Sequence, residues 1–216
     1  MNGMLLAAML IAAGAAPVPL RPVAPVVSAS WSNEAARDAA GEARDVVRIA
    51  GIVRGMTVAD IGAGGGYYTM RVAPLLGPRG RLLAQDIDPR TLQLLERRVR
   101  KARLHNVQFL IGNGANARLP IASTDVALMV HMYHEIAQPY LLLERLRPSL
   151  KPGGRIVIVD LDRPSEDHGM PKALLTCEVR TMGYDLVSLT DITQGYVAVF
   201  KPGKRPDPAS VRACRG

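Results

Sequence analysis

The chain has 216 residues, 48% of them hydrophobic and only 4% aromatic. That excludes a disordered or collagen-like polymer and leaves Val, Leu, Ile, Ala and Met to fill the core of one domain with extensions. The formal charge of +8 could suit an anionic partner, but half of it lies in the tail 201–216, where Lys201, Lys204, Arg205, Arg212 and Arg215 outweigh Asp207.

Residues 1–20 carry no charged side chain. An apolar run from Met4 to Ala13 is followed by Gly14-Ala15-Ala16 and a Pro-rich stretch to Pro25. Apolar run, small residues and a break form the pattern of a secretory signal. Cleavage near Ala15 or Ala16 and a periplasmic or secreted location are expected. No Lys or Arg precedes the run, which keeps a cytoplasmic location as the alternative. The run is too short for a stable transmembrane helix. Residues 21–40 read as a Pro/Ala-rich linker and the start of an N-terminal helix, 41–200 as one folded domain, and 201–216 as a basic tail.

The later part of Trp31–Arg54 reads as a helix with Val46, Val47, Ala50 and Val53 on one side, ended by Gly55. Strand-like and helix-like segments then alternate. The expected strands are 57–61, 81–85, 107–111, 125–130 and 155–159, and the helices 67–76, 89–104 and 139–146. Lys151-Pro152-Gly153-Gly154 reads as a turn before the last of these strands. Such alternation implies a parallel sheet with helices on both faces. A helix over 172–182 and strands over 184–189 and 196–200 follow, and the hairpin would add an antiparallel strand. In helix 89–104, Leu92, Leu95, Val99 and Ala102 face the core, so Arg97, Arg98, Arg100, Lys101 and Arg103 read as its solvated side. Nucleic acid is therefore not the expected partner. Cys177 and Cys214 can form one disulfide tying the tail to the domain, or be ordinary reduced cysteines. Their spacing suggests no zinc site.

The chemistry concentrates after the first strand, in Asp60-Ile61-Gly62-Ala63-Gly64-Gly65-Gly66. Glycines let a backbone turn sharply and approach a ligand closely. A dinucleotide fingerprint fails, because its third glycine would fall at Tyr67, and a Gly-Lys-Ser/Thr phosphate loop is absent. What remains is an acid two residues before Gly-x-Gly-x-Gly, which suits a cationic or amine-bearing ligand. Asp86, at the end of the second strand, can hold both hydroxyls of a ribose. Asp88 reads instead as a helix N-cap before Pro89.

These residues, with Asp86-Ile87-Asp88-Pro89, Asp125-Val126-Ala127-Leu128 and Leu150-Lys151-Pro152-Gly153-Gly154-Arg155, resemble the class I S-adenosylmethionine-dependent methyltransferases over about residues 45–200. The resemblance implies a Rossmann-like, doubly wound α/β fold with a seven-stranded sheet, six strands parallel and one antiparallel. It implies S-adenosylmethionine as cofactor. Gly62, Ala63, Gly64 and Gly66 would pass under its methionine and ribose portions, and Asp60 would lie near its amino-acid end. Asp86 would hold the ribose, with Ile87 against the adenine. Asn113, or alternatively Asn116, would meet the adenine amino group, and His131 would line the pocket.

The family places acceptor-facing residues after the fourth strand, here His131-Met132-Tyr133-His134-Glu135. His134 or Tyr133 could deprotonate or orient an acceptor, and Glu135 could start the next helix. Asp160 and Asp162 end the fifth strand nearby and could bind a cation with His131, but their spacing is diagnostic of no metal, and none is expected. No Asn/Asp-Pro-Pro-Tyr/Phe motif follows the fourth strand, which argues against amino-group methylation of nucleic acids or proteins. Residues 163–182 would cover the acceptor side. The expected substrate is a small molecule. A nucleic-acid methyltransferase, or a non-catalytic envelope protein retaining the fold, are the alternatives. Sequence leaves the oligomeric state undecided.

Overall fold

The structure, a computed structural model, describes residues 17–26 and 33–215. Most of the leader expected at 1–20 lies outside the described residues, as does Trp31. Two short helices, α1 (Glu34–Ala39) and α2 (Glu42–Ile49), precede the alternating region. It comprises β1 (Thr57–Ile61), α3 (Tyr67–Leu76), β2 (Arg81–Asp86), α4 (Pro89–Lys101), β3 (Val107–Ile111), β4 (Thr124–Val130), α5 (Pro139–Leu146) and β5 (Leu150–Asp160). Helix α6 (Lys172–Thr181) and the hairpin of β6 (Tyr184–Ile192) and β7 (Gly195–Pro202) complete it. No described helix is long and apolar enough to cross a membrane.

The sheet has seven strands in the order β3-β2-β1-β4-β5-β7-β6. β1 to β5 run parallel, and β7 pairs antiparallel with both β5 and β6. This is the expected doubly wound fold with one antiparallel strand. Alternation along β4 shows how each face is filled. Val126 and Leu128 join Val46, Val72, Leu76 and Leu95 on one face. Ala127 and Met129 join Tyr140, Leu143 and Leu175 on the other.

Two local expectations are corrected. The helix expected within Trp31–Arg54 is broken at Gly41 (φ 71°) and ends at Ile49, with Gly51 (φ 62°) rather than Gly55 turning the chain out. Val53 is consequently exposed. The turn at Lys151–Gly154 is a bulge inside β5, where pairing jumps from Thr124↔Leu150 to Val126↔Arg155. Lys151 Nζ reaches Asp125 Oδ2 at 2.6 Å across it.

Both described ends of the chain pack on the domain. Arg21 and Ala24, placed by sequence in a linker, are buried. Arg21 Nε donates to Glu178 Oε1 at 3.1 Å, and Ala24 N donates to the His134 carbonyl at 3.1 Å. Cys177 and Cys214 form a disulfide, and Cys214 N donates to the Tyr140 hydroxyl at 2.6 Å.

Candidate active site

Parallel strands leave a crevice beyond their carboxyl ends where the strand order reverses, here between β1 and β4. A cavity of about 880 Å³ opens there. Gly62, Ala63, Gly64, Asp86, Ile87, Asn113 and His131 line it, all of them sequence candidates. Gly62 has φ 70°, a left-handed conformation that favours glycine, and a Cβ there would also crowd the Met132 side chain at 3.1 Å. Asp86 organises the loop. Its Oδ2 accepts from Gly64 N at 2.8 Å, and its Oδ1 accepts from Ile87 N at 2.7 Å and Asp88 N at 3.0 Å. Ile87 is an exposed aliphatic side chain on the rim. Asp88 caps α4 by accepting from Arg90 N and Thr91 N. Asn113 lines the cavity, whereas Asn116 is not among its lining residues.

Asp60 and Gly66 do not line the cavity. Asp60 is buried behind the loop and accepts from Thr69 Oγ1 at 2.7 Å. Burial raises its pKa to about 6, against the opposing pull of that hydrogen bond. Gly66 caps α3 in the left-handed region, and a Cβ there would collide with Leu95 Cδ1 at 2.1 Å. Its role is packing of α4 beneath the loop.

Sequence reasoning missed a charged lid. Glu42 is 2% exposed, accepts from the Tyr68 hydroxyl at 2.7 Å and from Arg37 Nε at 3.0 Å, and lies 3.6 Å from His131 Nε2. Burial would raise its pKa, but the hydrogen bonds from His131 and Arg37 outweigh it and hold the carboxyl at about 2. Glu34, Arg37 and Glu42 all line the cavity. Arg98, expected on a solvated face, donates to Glu34 Oε1 at 2.6 Å and to the Gly65 carbonyl at 2.8 Å, so it ties the lid to the loop. The one available signal was an Arg37-Asp38…Glu42 cluster inside an Ala-rich segment.

At the far end, His134 lines the cavity although only 2% exposed. Its Nδ1 lies 2.9 and 3.0 Å from the two oxygens of Asp160, itself fully buried at the end of β5. Tyr133 is corrected: it is fully buried and absent from the lining, with Arg21 5.9 Å from its ring centroid. Burial and the Glu178 carboxylate push its phenol well above the usual range, so it is set to pack and not to exchange a proton. Glu135 does not start a helix. Residues Tyr133–Glu135 form a 3₁₀ turn, and α5 begins after Gln138 with Pro139. From the expected acceptor cover at 163–182, Arg163 and His168 reach the cavity, joined by Leu161 just before it, while Cys177 and Glu178 of α6 do not.

The order of the sheet, the glycine loop and the strand-end acid together define a nucleoside-binding α/β domain of the methyltransferase type. A profile of the methyltransferase domain family matches residues 52–187. Among curated proteins, the protein-L-isoaspartate O-methyltransferase of Methanothrix thermoacetophila is 31% identical over 104 residues, covering 48% of this chain and 47% of that one. A demethylmenaquinone methyltransferase of Listeria welshimeri is 24% identical over 122 residues, covering 56% and 52%. The chain thus spans about half the length of these curated relatives. A SAM-dependent methyltransferase from Aquifex aeolicus superposes with a TM-score of 0.69 at 22% identity, covering 74% of this chain and 88% of that one. The chain belongs to the methyltransferase domain family and has the class I S-adenosylmethionine-dependent fold.

The residues present fit that cofactor. Gly62, in the left-handed region, turns the backbone along the cavity wall. Asp86 presents a carboxylate beside an exposed aliphatic surface at Ile87. His131 Nδ1 is buried on the lining without a hydrogen-bond partner among the described residues, which leaves it a bond to make with a ligand.

Proposed function

We propose that this protein transfers a methyl group from S-adenosylmethionine to a small-molecule acceptor by in-line displacement. The observation that carries the reading is one continuous cavity, with Gly62, Gly64, Asp86 and Ile87 at one end and His134, Leu161 and Arg163 at the other. When bound, S-adenosylmethionine supplies an electrophilic methyl group on a sulfonium sulfur. Asp86 offers its oxygens to paired hydroxyls, Ile87 an apolar surface to a base, and Asn113 an amide to its edge. Bringing two reactants together in one cavity is worth on the order of 7–11 kcal/mol in favourable cases, so the side chains at the acceptor end mainly orient. His134 is the group placed to do so. A carboxylate only accepts, so Asp160 fixes the proton on Nδ1 and leaves Nε2 to receive a proton from the acceptor. The cavity volume lies near the top of the range for small-molecule sites, and the similarity to a demethylmenaquinone methyltransferase supports an acceptor of that size class.

Calorimetric titration of S-adenosylmethionine and S-adenosylhomocysteine tests the reading. Micromolar binding is expected, weakened about 100-fold in Asp86→Ala through loss of two charge-assisted hydrogen bonds of about 1.5 kcal/mol or more each. Absence of binding to correctly folded protein would sink it.

We further propose that the protein works in an oxidising compartment, the periplasm or the exterior. The disulfide and the leader-like composition of residues 1–20 support this. Thiol labelling of fractionated cells should find the oxidised form outside the cytoplasm; a reduced, cytoplasmic pool would overturn the placement.

A further inference from the structure

The acceptor end of the cavity carries donor chemistry of which the methyltransferase reading uses only His134. His134, Glu135 and His168 each offer one ligand atom, and these atoms lie within 4.8 Å of one another. All three residues line the cavity. They come from two separate segments, the turn after β4 and the loop after β5, so no sequence spacing announces them. Two imidazoles and a carboxylate suit divalent transition metals, zinc in particular.

A second observation comes from behind the cluster. A ligating histidine usually donates its other ring nitrogen to a carboxylate, which fixes the tautomer and raises ligand basicity. His134 does so with fully buried Asp160, at 2.9 Å. Asp160 is held in turn, accepting from Leu161 N at 2.9 Å. The His134 carbonyl is fixed by Ala24 N at 3.1 Å. The ring of His168 stands edge-on to that of His134, with centroids 5.6 Å apart. His168 sits in the left-handed region at φ 56°, which turns the loop at the cavity wall. Zinc–nitrogen bonds of about 2.1 Å place tetrahedral ligands about 3.3 Å apart, so the three atoms must draw in by about 1 Å or more. His134 is held by Asp160, so that approach falls to the His168 and Glu135 side chains.

We propose that His134, Glu135 and His168 bind a divalent transition-metal ion, with Asp160 as the outer partner of His134, and that its open position receives the hydroxyl or thiol of the acceptor. Coordination acidifies that group: its O–H or S–H bond breaks, the electron pair stays on the oxygen or sulfur, and the proton leaves to water. With the ion on Nε2, His134 acts through the metal and no longer takes the proton itself. The acceptor's part in this rests on the methyltransferase reading, whereas the metal site stands independently of it.

The test uses the full chain with its disulfide intact, freed of metal by chelation. Zn²⁺ is titrated by calorimetry, and Co²⁺ is added as a spectroscopic probe whose visible absorption reports nitrogen coordination. One equivalent should bind. His168→Ala should abolish stoichiometric binding, and Asp160→Asn should weaken it by about 10- to 100-fold. Absence of saturable binding, or binding unchanged in His168→Ala, overturns the site. S-adenosylhomocysteine is titrated into the same samples. If it binds while zinc does not, the metal site alone falls; if zinc binds while it does not, the methyltransferase reading falls and the metal site stands.

Discussion

The two ends of the cavity are built by different means. At the Gly62–Asp86 end, Asp86 itself is held by backbone amides at two adjacent strand ends, accepting from Gly64, Ile87 and Asp88, and Arg98 adds one tie from the loop to Glu34. At the His134 end, the groups that fix the imidazole and its carbonyl come from far along the chain. Asp160 orients the imidazole, the segment around Ala24 pins its carbonyl, and Arg21, on that segment, is anchored to Glu178 of α6. The disulfide next to Glu178 then ties α6 to the tail. A local frame tolerates changes elsewhere, whereas one gathered from distant segments depends on each of its anchors. The Gly62–Asp86 end is therefore expected to survive damage that disorganises the other.

The largest effect should follow from breaking the Arg21–Glu178 pair. Glu178→Ala leaves the Arg21 guanidinium buried without its counter-charge, which costs about 3–5 kcal/mol. Thermal unfolding should shift down by roughly 10 °C. S-adenosylhomocysteine affinity, measured below the transition, should stay within a few-fold of the parent. A parallel collapse of affinity would show that the two ends are one cooperative unit and break the contrast. Cys214→Ser comes next. It removes a cross-link spanning 37 residues, a change worth roughly 3–4 kcal/mol in chain entropy. The same variant should expose the tail to proteases, and a tail cleaved no faster than in the parent would show that Tyr140 and Thr181 hold it without the cross-link.

The contrast also explains what could be read from the sequence. A glycine loop and a strand-end acid are local patterns with a fixed relation to the backbone, so seven of the nine proposed cofactor contacts fall on the cavity lining. The two that do not, Asp60 and Gly66, serve the loop from behind, a distinction that depends on packing of Leu95 and Thr69 from other turns. The parallel sheet was legible because strand and helix segments alternate, whereas its strand order came only with the structure. The approach of Glu42 to His131, and the pairing of Arg21 with Glu178, were not, because contacts between distant segments leave no periodicity. Tyr133 and His134 illustrate the limit: adjacent in sequence, they point to opposite sides of a 3₁₀ turn, one into the core and one into the cavity.

Asp60 sharpens the comparison through pH. Its pKa in the fold is raised to about 6 from an ordinary carboxylate value of 3.8, chiefly by burial. A raised value means the protonated form is favoured by folding. Its stabilisation is complete below about pH 4 and is lost as pH rises toward about 6, by on the order of 2–3 kcal/mol. Asp60→Asn should remove that component, so the difference in stability between variant and parent should grow in the variant's favour from pH 4 to pH 6 and then level off. A difference flat across this window would mean that water reaches the carboxylate behind the loop.

The smallest expected effect is the most discriminating. Asp86 and Asp88 are two residues apart, both carboxylates, both on the lining. Their partners separate them. Asp88 spends both oxygens on the first turn of α4, accepting from Arg90 N at 3.0 Å and from Thr91 N and Oγ1 at 3.3 and 2.7 Å. The Thr91 hydroxyl and the Arg90 amide lower its pKa accordingly. Asp88→Ala should therefore act as loss of a helix cap, lowering the melting temperature by roughly 2–4 °C and leaving S-adenosylhomocysteine affinity unchanged. Asp86→Ala should weaken binding about 100-fold, and it also removes the amide contacts to Gly64, Ile87 and Asp88, so the two variants are told apart by affinity and not by melting temperature. If Asp88→Ala were the variant that abolished binding, the ribose carboxylate would be the helix cap, and the loop held by Asp86 would be a structural support like Asp60.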